Sequence, residues 1–251
     1  MREKDYTTVR SSALKMTSYL YLDDNFAEMR RRIRLSAEAA GRDPDDITLV
    51  AVTKTVDADV INYVHDNLGV NVIGENRVQS LLEKYDKLHR DGLKIHFIGS
   101  LQTNKVKYII DKVDLIQSLD SLRLAKEIDR QAKRVGRVMD VLVEINSGRE
   151  PNKGGIMPEE AESFLDEVLK FENIRVVGVM TIGPVCEDTG ELKKFFEETY
   201  RTFIDFSTKK LHNIDSPILS MGMSRGFEYA IETGSTMVRI GNALFSPGSN
   251  K

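Results

Sequence analysis

Apolar runs and helical patterns alternate along the chain from residue 47 onward. The apolar runs are short and rich in β-branched residues, and most are nearly continuous, as expected of strands covered on both faces. Between them, apolar residues recur at helical spacing, as in residues 121–136 and 158–171. The predicted strands are residues 47–54, 70–75, 94–100, 113–119, 139–146, 174–182, 217–222 and 235–241.

This alternation predicts an α/β fold of the (β/α)8 TIM-barrel type, because each of the eight strands is followed by a helical pattern. An open, doubly wound parallel sheet is the alternative. It is disfavoured because no GxGxxG sequence follows the first strand. No linker rich in Pro, Gly or Ser divides residues 22–251, so we expect them to form a single domain.

The chain that precedes the first strand has two parts. Residues 1–21 are polar and lack a periodic pattern, so we expect an N-terminal extension that is frayed or disordered. An extra helix is predicted next, with Asp23 or Asp24 as its cap and Gly41 at its end. Its arginines then lie on a solvated face and need no nucleic-acid partner. The apolar positions at helical spacing are Phe26, Met29, Ile33, Ala37 and Ala40.

Composition excludes several classes of protein. The formal net charge is −3, from 36 basic and 39 acidic residues, which favours neither nucleic acid nor an anionic membrane as a partner. The single cysteine, Cys186, cannot form an internal disulfide and indicates a reducing compartment. No apolar run is as long as a membrane span, and the first residues lack the apolar block of a secretory signal. We expect a cytoplasmic protein.

Polar residues follow the predicted strands where each strand ends. In a parallel barrel all these ends meet at one rim, which is where barrel enzymes build their active sites. So many polar strand ends on one rim predict a functional pocket. They include Lys54, GENR (74–77), His96 with GSLQTNK (99–105), Glu144 and Asn146, SMGMS (220–224) and RIGN (239–242).

Two of these strand ends resemble phosphate-binding turns. Gly222 and Gly241 allow a ligand to approach the backbone, and Ser224 and Asn242 stand at positions typical of helix N-caps. A lysine at an apolar strand end, such as Lys54, can supply a neutral amine that forms Schiff bases with aldehydes. An aldehyde and a phosphate in one ligand point to pyridoxal 5′-phosphate (PLP). A Schiff-base aldolase acting on a sugar phosphate is the alternative.

Seven blocks in this order resemble the pyridoxal phosphate homeostasis protein family, which has the fold of the alanine racemase N-terminal domain. The resemblance covers roughly residues 25–246 and leaves out the first twenty or so. The blocks are LVAVTK, IGENRVQ, IHFIGSLQTNK, EINSGREPNKGG, VVGVMTI, LSMGMS and STMVRIGNALF.

The resemblance implies roles for individual residues. Lys54 would form the Schiff base with PLP, and Arg239 would face the nitrogen of the pyridine ring. Ser224, Gly241 and Asn242 would hold the phosphate. The remaining residues implied to bind or line the cofactor are Asn76, His96, Met180, Ser220, Met221 and Gly222; no residue is implied to be catalytic or to bind a metal.

This sequence departs from the family at a few positions. Thr53 stands where serine is frequent, and Asn242 replaces a frequent threonine but keeps a hydrogen-bonding side chain. Arg225 and Gly226 stand where an acidic or small residue is common, so a positive charge is added beside the predicted phosphate turn.

The resemblance implies a protein that buffers or delivers PLP and supports vitamin B6 homeostasis, with apo forms of PLP-dependent enzymes as acceptors. Monomer and weak dimer both stay open. The alternative is a PLP-dependent amino-acid racemase or decarboxylase of the same barrel class. Such enzymes add a β-rich second domain that completes the site. Because the chain ends shortly after its eighth predicted strand, we expect no such domain and no enzyme activity.

Overall fold

Eight parallel strands close into a barrel in which each strand pairs with the next along the chain and the last pairs with the first. This computed structural model describes residues 3–183, 188–209 and 217–248. The predicted (β/α)8 barrel is confirmed, and the open-sheet alternative is wrong. The strands are β1 (Thr48–Val52), β2 (Val72–Glu75), β3 (Lys94–Phe97), β4 (Leu115–Leu119), β5 (Met139–Glu144), β6 (Ile174–Met180), β7 (Ile218–Ser220) and β8 (Met237–Ile240).

Helices precede the barrel and follow its strands. The longest covers the start of the described chain, and the shortest follow β3 and β8. They are α1 (Glu3–Ala39), α2 (Ala58–Leu68), α3 (Val78–Tyr85), α4 (Val106–Ile109), α5 (Leu122–Arg134), α6 (Ala161–Val168), α7 (Thr189–Lys209), α8 (Phe227–Glu232) and α9 (Asn242–Phe245). None of the described helices is both long and apolar enough to cross a membrane.

Two separate hydrophobic clusters stabilise this architecture. The larger one fills the layer between the strands and the helices. The smaller one fills the lower barrel interior, because alternate residues of each strand point inward. Above it the inward-facing residues become polar, and this change of chemistry positions the site. The interior cluster consists of Val50, Leu115, Leu142, Val177, Met180 and Met237.

Helix α1 differs from the prediction at its start. It runs without a break from Glu3, so Asp23 and Asp24 lie inside the helix and neither caps it. Asp23 is used for docking instead, since the hydroxyl of Tyr63 in α2 donates a hydrogen bond to Asp23 Oδ1 at 2.9 Å. The boundary expected between residues 21 and 22 falls within this helix. The division of the chain into an extension and a single domain stays a prediction. Residues 1 and 2 lie outside the described residues.

The end and the buried face of α1 follow the prediction. Phe26, Met29, Ile33 and Ala37 are buried, and Gly41 takes a positive φ of 68° just beyond the last turn. The arginines contact the chain itself. Arg31 pairs with Glu28, and Arg32 pairs with Glu228 of α8.

The predicted strands are too long at their carboxyl ends. Lys54, Asn146 and Gly222, for example, lie in the loops that follow β1, β5 and β7. The chain turns at these points and leaves the sheet; after β1, for example, the N–H of Val56 donates to the carbonyl of Thr53 at 2.9 Å. Cys186, which the sequence singled out, lies outside the described residues.

Candidate functional site

Lys54 occupies a tight turn directly after β1. Thr53 is fully buried at the strand end, whereas the side chain of Lys54 is exposed. The apolar strand that precedes this lysine therefore does not bury its side chain. The turn puts the ammonium group outside the core, and this is why an apolar strand can end in a lysine without burying an unpaired charge.

The turn after β8 faces the same space as Lys54. A cavity of about 200 Å³ is lined by Lys54, Thr55, Gly241 and Asn242, together with residues of α1 and α2 such as Tyr21 and Val60. Gly241 precedes the first residue of α9, Asn242. A Cβ atom at Gly241 would lie 3.3 Å from Val52 Cβ, so a larger residue would press on the end of β1. Lys54 and the turn after β8 therefore border the same cavity, and their roles toward a ligand stay a prediction.

The turn after β7 is longer than predicted. Helix α8 begins at Phe227 with Gly226 at its N-cap, so Ser224 is not the cap of that helix. Gly226 has a φ of 85°, in the left-handed region that glycine tolerates, which accounts for a glycine there. Arg225 is exposed beside it.

Gly222 is required by the backbone of this same turn. Its φ is 97°, and a Cβ atom there would lie 2.8 Å from Ala230 Cβ. Met221 is fully buried in the cluster between strands and helices, so its side chain lies away from the barrel interior. Met180, by contrast, belongs to the interior cluster beneath the rim.

A chain of hydrogen bonds crosses the barrel interior beneath the rim. Arg239 Nη1 donates to the carbonyl of Ser220 at 2.9 Å and to its Oγ at 2.7 Å, and Nη2 donates to the carbonyl of Thr181 at 2.7 Å. Ser220 Oγ donates to Gln117 Oε1 at 2.7 Å. Gln117 Nε2 lies 3.0 Å from His96 Nδ1. Arg239 is therefore held directly by Ser220 of β7 and by Thr181, which follows β6, and Ser220 is linked in turn to β4 and β3.

Gln117 was missed by the sequence analysis. The polar pair Gln117 and Ser118, between Ile116 and Leu119 in an otherwise apolar strand, is the signal that could have found it. Gln117 is fully buried, and its amide can accept from Ser220 Oγ and also donate to His96 in only one orientation. In that orientation Nε2 donates to His96 Nδ1, which must be the unprotonated ring nitrogen.

Burial shifts the pKa values of the charged groups in this interior. Desolvation, and to a lesser extent Lys94, lowers the pKa of His96 to about 3, so the imidazole is neutral. Desolvation likewise lowers the pKa of Arg239 to about 10, partly offset by Glu144, and the guanidinium stays protonated at neutral pH. The site therefore holds a fixed positive charge and a neutral histidine.

Glu144, at the end of β5, has an unusual pKa. Burial, together with the nearby Asp120, raises it to about 7, and Arg239 opposes the shift. Burial also raises the pKa of Asp120. A carboxyl group that titrates near neutrality at a barrel rim can hold or release a proton under ordinary conditions.

Asn76, in the loop after β2, carries a polar atom without a partner. Its Oδ1 is buried and accepts no hydrogen bond from the residues that the structure describes. Gly99 approaches this loop closely, because a Cβ atom there would lie 2.2 Å from the Asn76 carbonyl oxygen. A buried acceptor of this kind fits a ligand that brings a hydrogen-bond donor.

Comparisons with known proteins agree with this geometry. The family model of the alanine racemase N-terminal domain matches residues 25–247. A pyridoxal phosphate homeostasis protein from Aquifex aeolicus is 43% identical over 222 residues, covering 88% of this chain and 96% of that protein. The protein of the same name from Escherichia coli K12 is 36% identical over 224 residues, covering 88% and 94%.

A solved structure extends the likeness to the coordinates. PipY from Synechococcus elongatus PCC7942, solved with PLP bound, superposes with a TM-score of 0.75 at 28% identity, covering 86% of this chain and 99% of that one. The resemblance of the seven sequence blocks is thereby confirmed. This chain belongs to the pyridoxal phosphate homeostasis protein family, whose barrel is that of the alanine racemase N-terminal domain.

Proposed function

We propose that this protein binds PLP through Lys54 in the cytoplasm, and that it buffers the cofactor or delivers it to apo forms of PLP-dependent enzymes. The observation that carries the proposal is the cavity shared by Lys54, Gly241 and Asn242. It brings an amine to a glycine turn where backbone N–H groups can meet a phosphate. The names of the Aquifex and Escherichia relatives, and the PLP in PipY, support the same ligand.

Residues of this cavity, together with polar residues at the carboxyl ends of β2, β7 and β8 that do not line it, fit the parts of PLP. When bound, PLP supplies an aldehyde that an amine captures reversibly. Gly241, Asn242 and Ser224 are proposed to hold the phosphate, and Arg239 to donate to the ring nitrogen. The unpartnered Oδ1 of Asn76 is an acceptor for a hydroxyl group.

The charge of Arg239 favours a carrier over an enzyme. A guanidinium that stays protonated can only donate to the ring nitrogen, so that nitrogen stays unprotonated and the ring withdraws electrons weakly. That withdrawal stabilises the carbanion formed when a bond at the α-carbon of an amino acid breaks. We therefore propose that the protein retains and releases PLP without turning over amino acids.

One observation favours the racemase or decarboxylase alternative. Racemisation needs an acid or base on each face of the substrate α-carbon. Lys54 could serve one face, and the carboxyl of Glu144, with a pKa of about 7, is a proton-transfer group on β5, across the barrel from β1. Both functions use the same cofactor, so only turnover separates them.

Covalent labelling tests the binding proposal. The protein loaded with PLP is reduced with borohydride, and its peptides are mapped. We expect the label on Lys54 and its loss in Lys54→Ala. A label mainly on Lys105 or Lys153 would contradict the assignment.

Transfer from the loaded protein to an apo enzyme, with free PLP trapped, tests delivery. Sedimentation of the same sample distinguishes monomer from weak dimer.

A deuterium-exchange assay tests the enzyme alternative. The loaded protein is incubated in deuterated water with L- and D-amino acids, with Lys54→Ala and Glu144→Gln as controls. We expect no exchange, inversion or decarboxylation near ordinary enzyme rates of about 1 s⁻¹ or more. Turnover that needs both Lys54 and Glu144 would establish the enzyme alternative.

A further inference from the structure

A buried ion pair lies directly beneath the turn that carries Lys54. Lys84 of α3 is 8% exposed and Glu75, at the end of β2, is fully buried. Lys84 Nζ lies 2.7 Å from Glu75 Oε1. A buried pair is costly to desolvate and is kept only where its hydrogen bonds are well satisfied, so the question is what else the two groups contact.

The ammonium group of Lys84 holds both ends of the Lys54 turn. Nζ donates to the carbonyl of Thr53 at 2.7 Å and to the carbonyl of Val56 at 3.1 Å. With Glu75 as the third acceptor, all three ammonium protons are used. The turn is also closed by its own hydrogen bond, from the N–H of Val56 to the carbonyl of Thr53.

Glu75 and Ser80 complete the support. Thr53 Oγ1 donates to Glu75 Oε1 at 2.5 Å, which explains why a hydroxyl residue precedes Lys54. Ser80 Oγ lies 3.3 Å from the carbonyl oxygen of Lys54 itself and 3.4 Å from Glu75 Oε2. Ser80 and Lys84 are one helical turn apart on α3, so a single face of that helix supports the turn.

We infer that Lys84, together with Glu75, is a positioning residue for the PLP-binding lysine. The inference rests on the proposed function of Lys54. The exposed side chain of Lys54 is free to rotate, so the place of its amine depends on how firmly its backbone is held. Contacts to the carbonyls of residues 53, 54 and 56 restrict that backbone, which favours the geometry in which the amine meets the aldehyde. Lys84 is fully hydrogen-bonded and is not itself a PLP-binding amine.

The test is a double variant, Glu75→Gln with Lys84→Met, which removes both charges and leaves neither one buried alone. Two controls accompany it. Lys87→Met removes an exposed lysine of the segment that follows α3, and Leu165→Ala creates a cavity in α6, which follows β5. The thermal midpoint of each protein is measured first. The PLP dissociation constant and the rate at which the Schiff-base absorbance grows are then measured at a temperature below the lowest of these midpoints.

We expect the double variant to form the Schiff base about 10- to 100-fold more slowly than the wild type. Lys87→Met and Leu165→Ala should keep the wild-type rate, even though Leu165→Ala melts earlier. Wild-type kinetics in the double variant would overturn the inference, as would an equal loss in Leu165→Ala. Borohydride labelling of the wild type runs in parallel: absence of label on Lys54 refutes the proposed function, whereas labelled Lys54 with an unaffected double variant refutes the positioning role alone.

Discussion

Protonation of His96 should dismantle the hydrogen-bond chain that holds Arg239. His96 Nδ1 accepts a hydrogen bond from Gln117, and a proton there would set two donors against each other. Rotating the amide of Gln117 would relieve that clash but would leave Ser220 Oγ without its acceptor. His96→Asn keeps an acceptor oxygen close to the position of Nδ1 and cannot be protonated in this range. Comparison of the two proteins therefore isolates the titration of one group.

The magnitude follows from the pKa of His96. Burial lowers it to about 3 in the folded protein, against 6.5 for an unburied histidine. A lowered folded-state pKa gives stability that is present above pH 6.5 and lost as the pH falls toward 3. Between pH 7 and pH 5 the wild type should lose about 2 kcal/mol of unfolding free energy through this group, at about 1.4 kcal/mol per pH unit below 6.5.

Urea unfolding at intervals from pH 7.5 to 4.5 measures this loss. The unfolding free energy of wild type minus that of His96→Asn should fall steadily below pH 6.5, since other titrating groups cancel in the difference. NMR of the imidazole should show a neutral ring down to pH 5. A difference that stays flat to within about 0.5 kcal/mol would refute the argument, because the size of the linkage is fixed by the pKa shift.

Three further predictions concern the rim. Burial raises the pKa of Glu144 from 4.5 to about 7, so the contribution of this group to the unfolding free energy is present below pH 4.5 and lost as the pH rises through 7. In urea unfolding, the wild type should therefore lose about 3 kcal/mol relative to Glu144→Gln on going from acid to pH 8. Ser224→Ala and Asn242→Ala should each weaken PLP binding roughly 10- to 150-fold in a spectroscopic titration, since bonds to a charged phosphate are worth about 1.5–3 kcal/mol; unchanged dissociation constants in both would mean that the phosphate binds elsewhere. Gly222→Ala should cost about 1–3 kcal/mol in unfolding free energy from its positive φ, and more from the contact with Ala230, whereas Gly41→Ala meets nothing within 4 Å and should cost less.

The order of the strands and helices could be predicted because burial determines which residue types each short segment of the chain contains. A strand covered on both faces must be apolar throughout, so the eight strands were recognisable from their β-branched runs. Their ends were not, because the hydrogen bond from Val56 to Thr53 that ends β1 depends on a turn the apolar pattern does not encode. The start of α1 was misplaced for a related reason. Asp23 resembles a cap in the sequence, but Tyr63, forty residues away, binds it in the middle of a helix.

The residues of the candidate site also fall into those that the sequence could predict and those that it could not. Lys54 and Gly241 could be proposed from the sequence because a lysine at an apolar strand end and a glycine turn are conspicuous locally. Gln117, Glu75 and Lys84 could not, since each acts through a partner on another element: Gln117 through Ser220 of β7, and Lys84 through the carbonyls of the turn after β1. In the sequence, Lys84 is indistinguishable from Lys87, which is exposed just beyond the end of α3.

Arg239 and Lys54 are held in different ways, and this difference bears on the release of a bound cofactor. Arg239 is 4% exposed and fixed by bonds to Ser220 and Thr181, so its charge cannot relax away from a ligand. Lys54 is anchored only through its backbone, and its side chain reaches into solvent. The group that would orient the ring is therefore rigid, while the group that would form the covalent bond is accessible to water and to competing amines. A PLP molecule bound reversibly by Lys54, with its ring beside the fixed charge of Arg239, would be retained and then transferred. Another amine could displace Lys54 without any movement of the barrel interior.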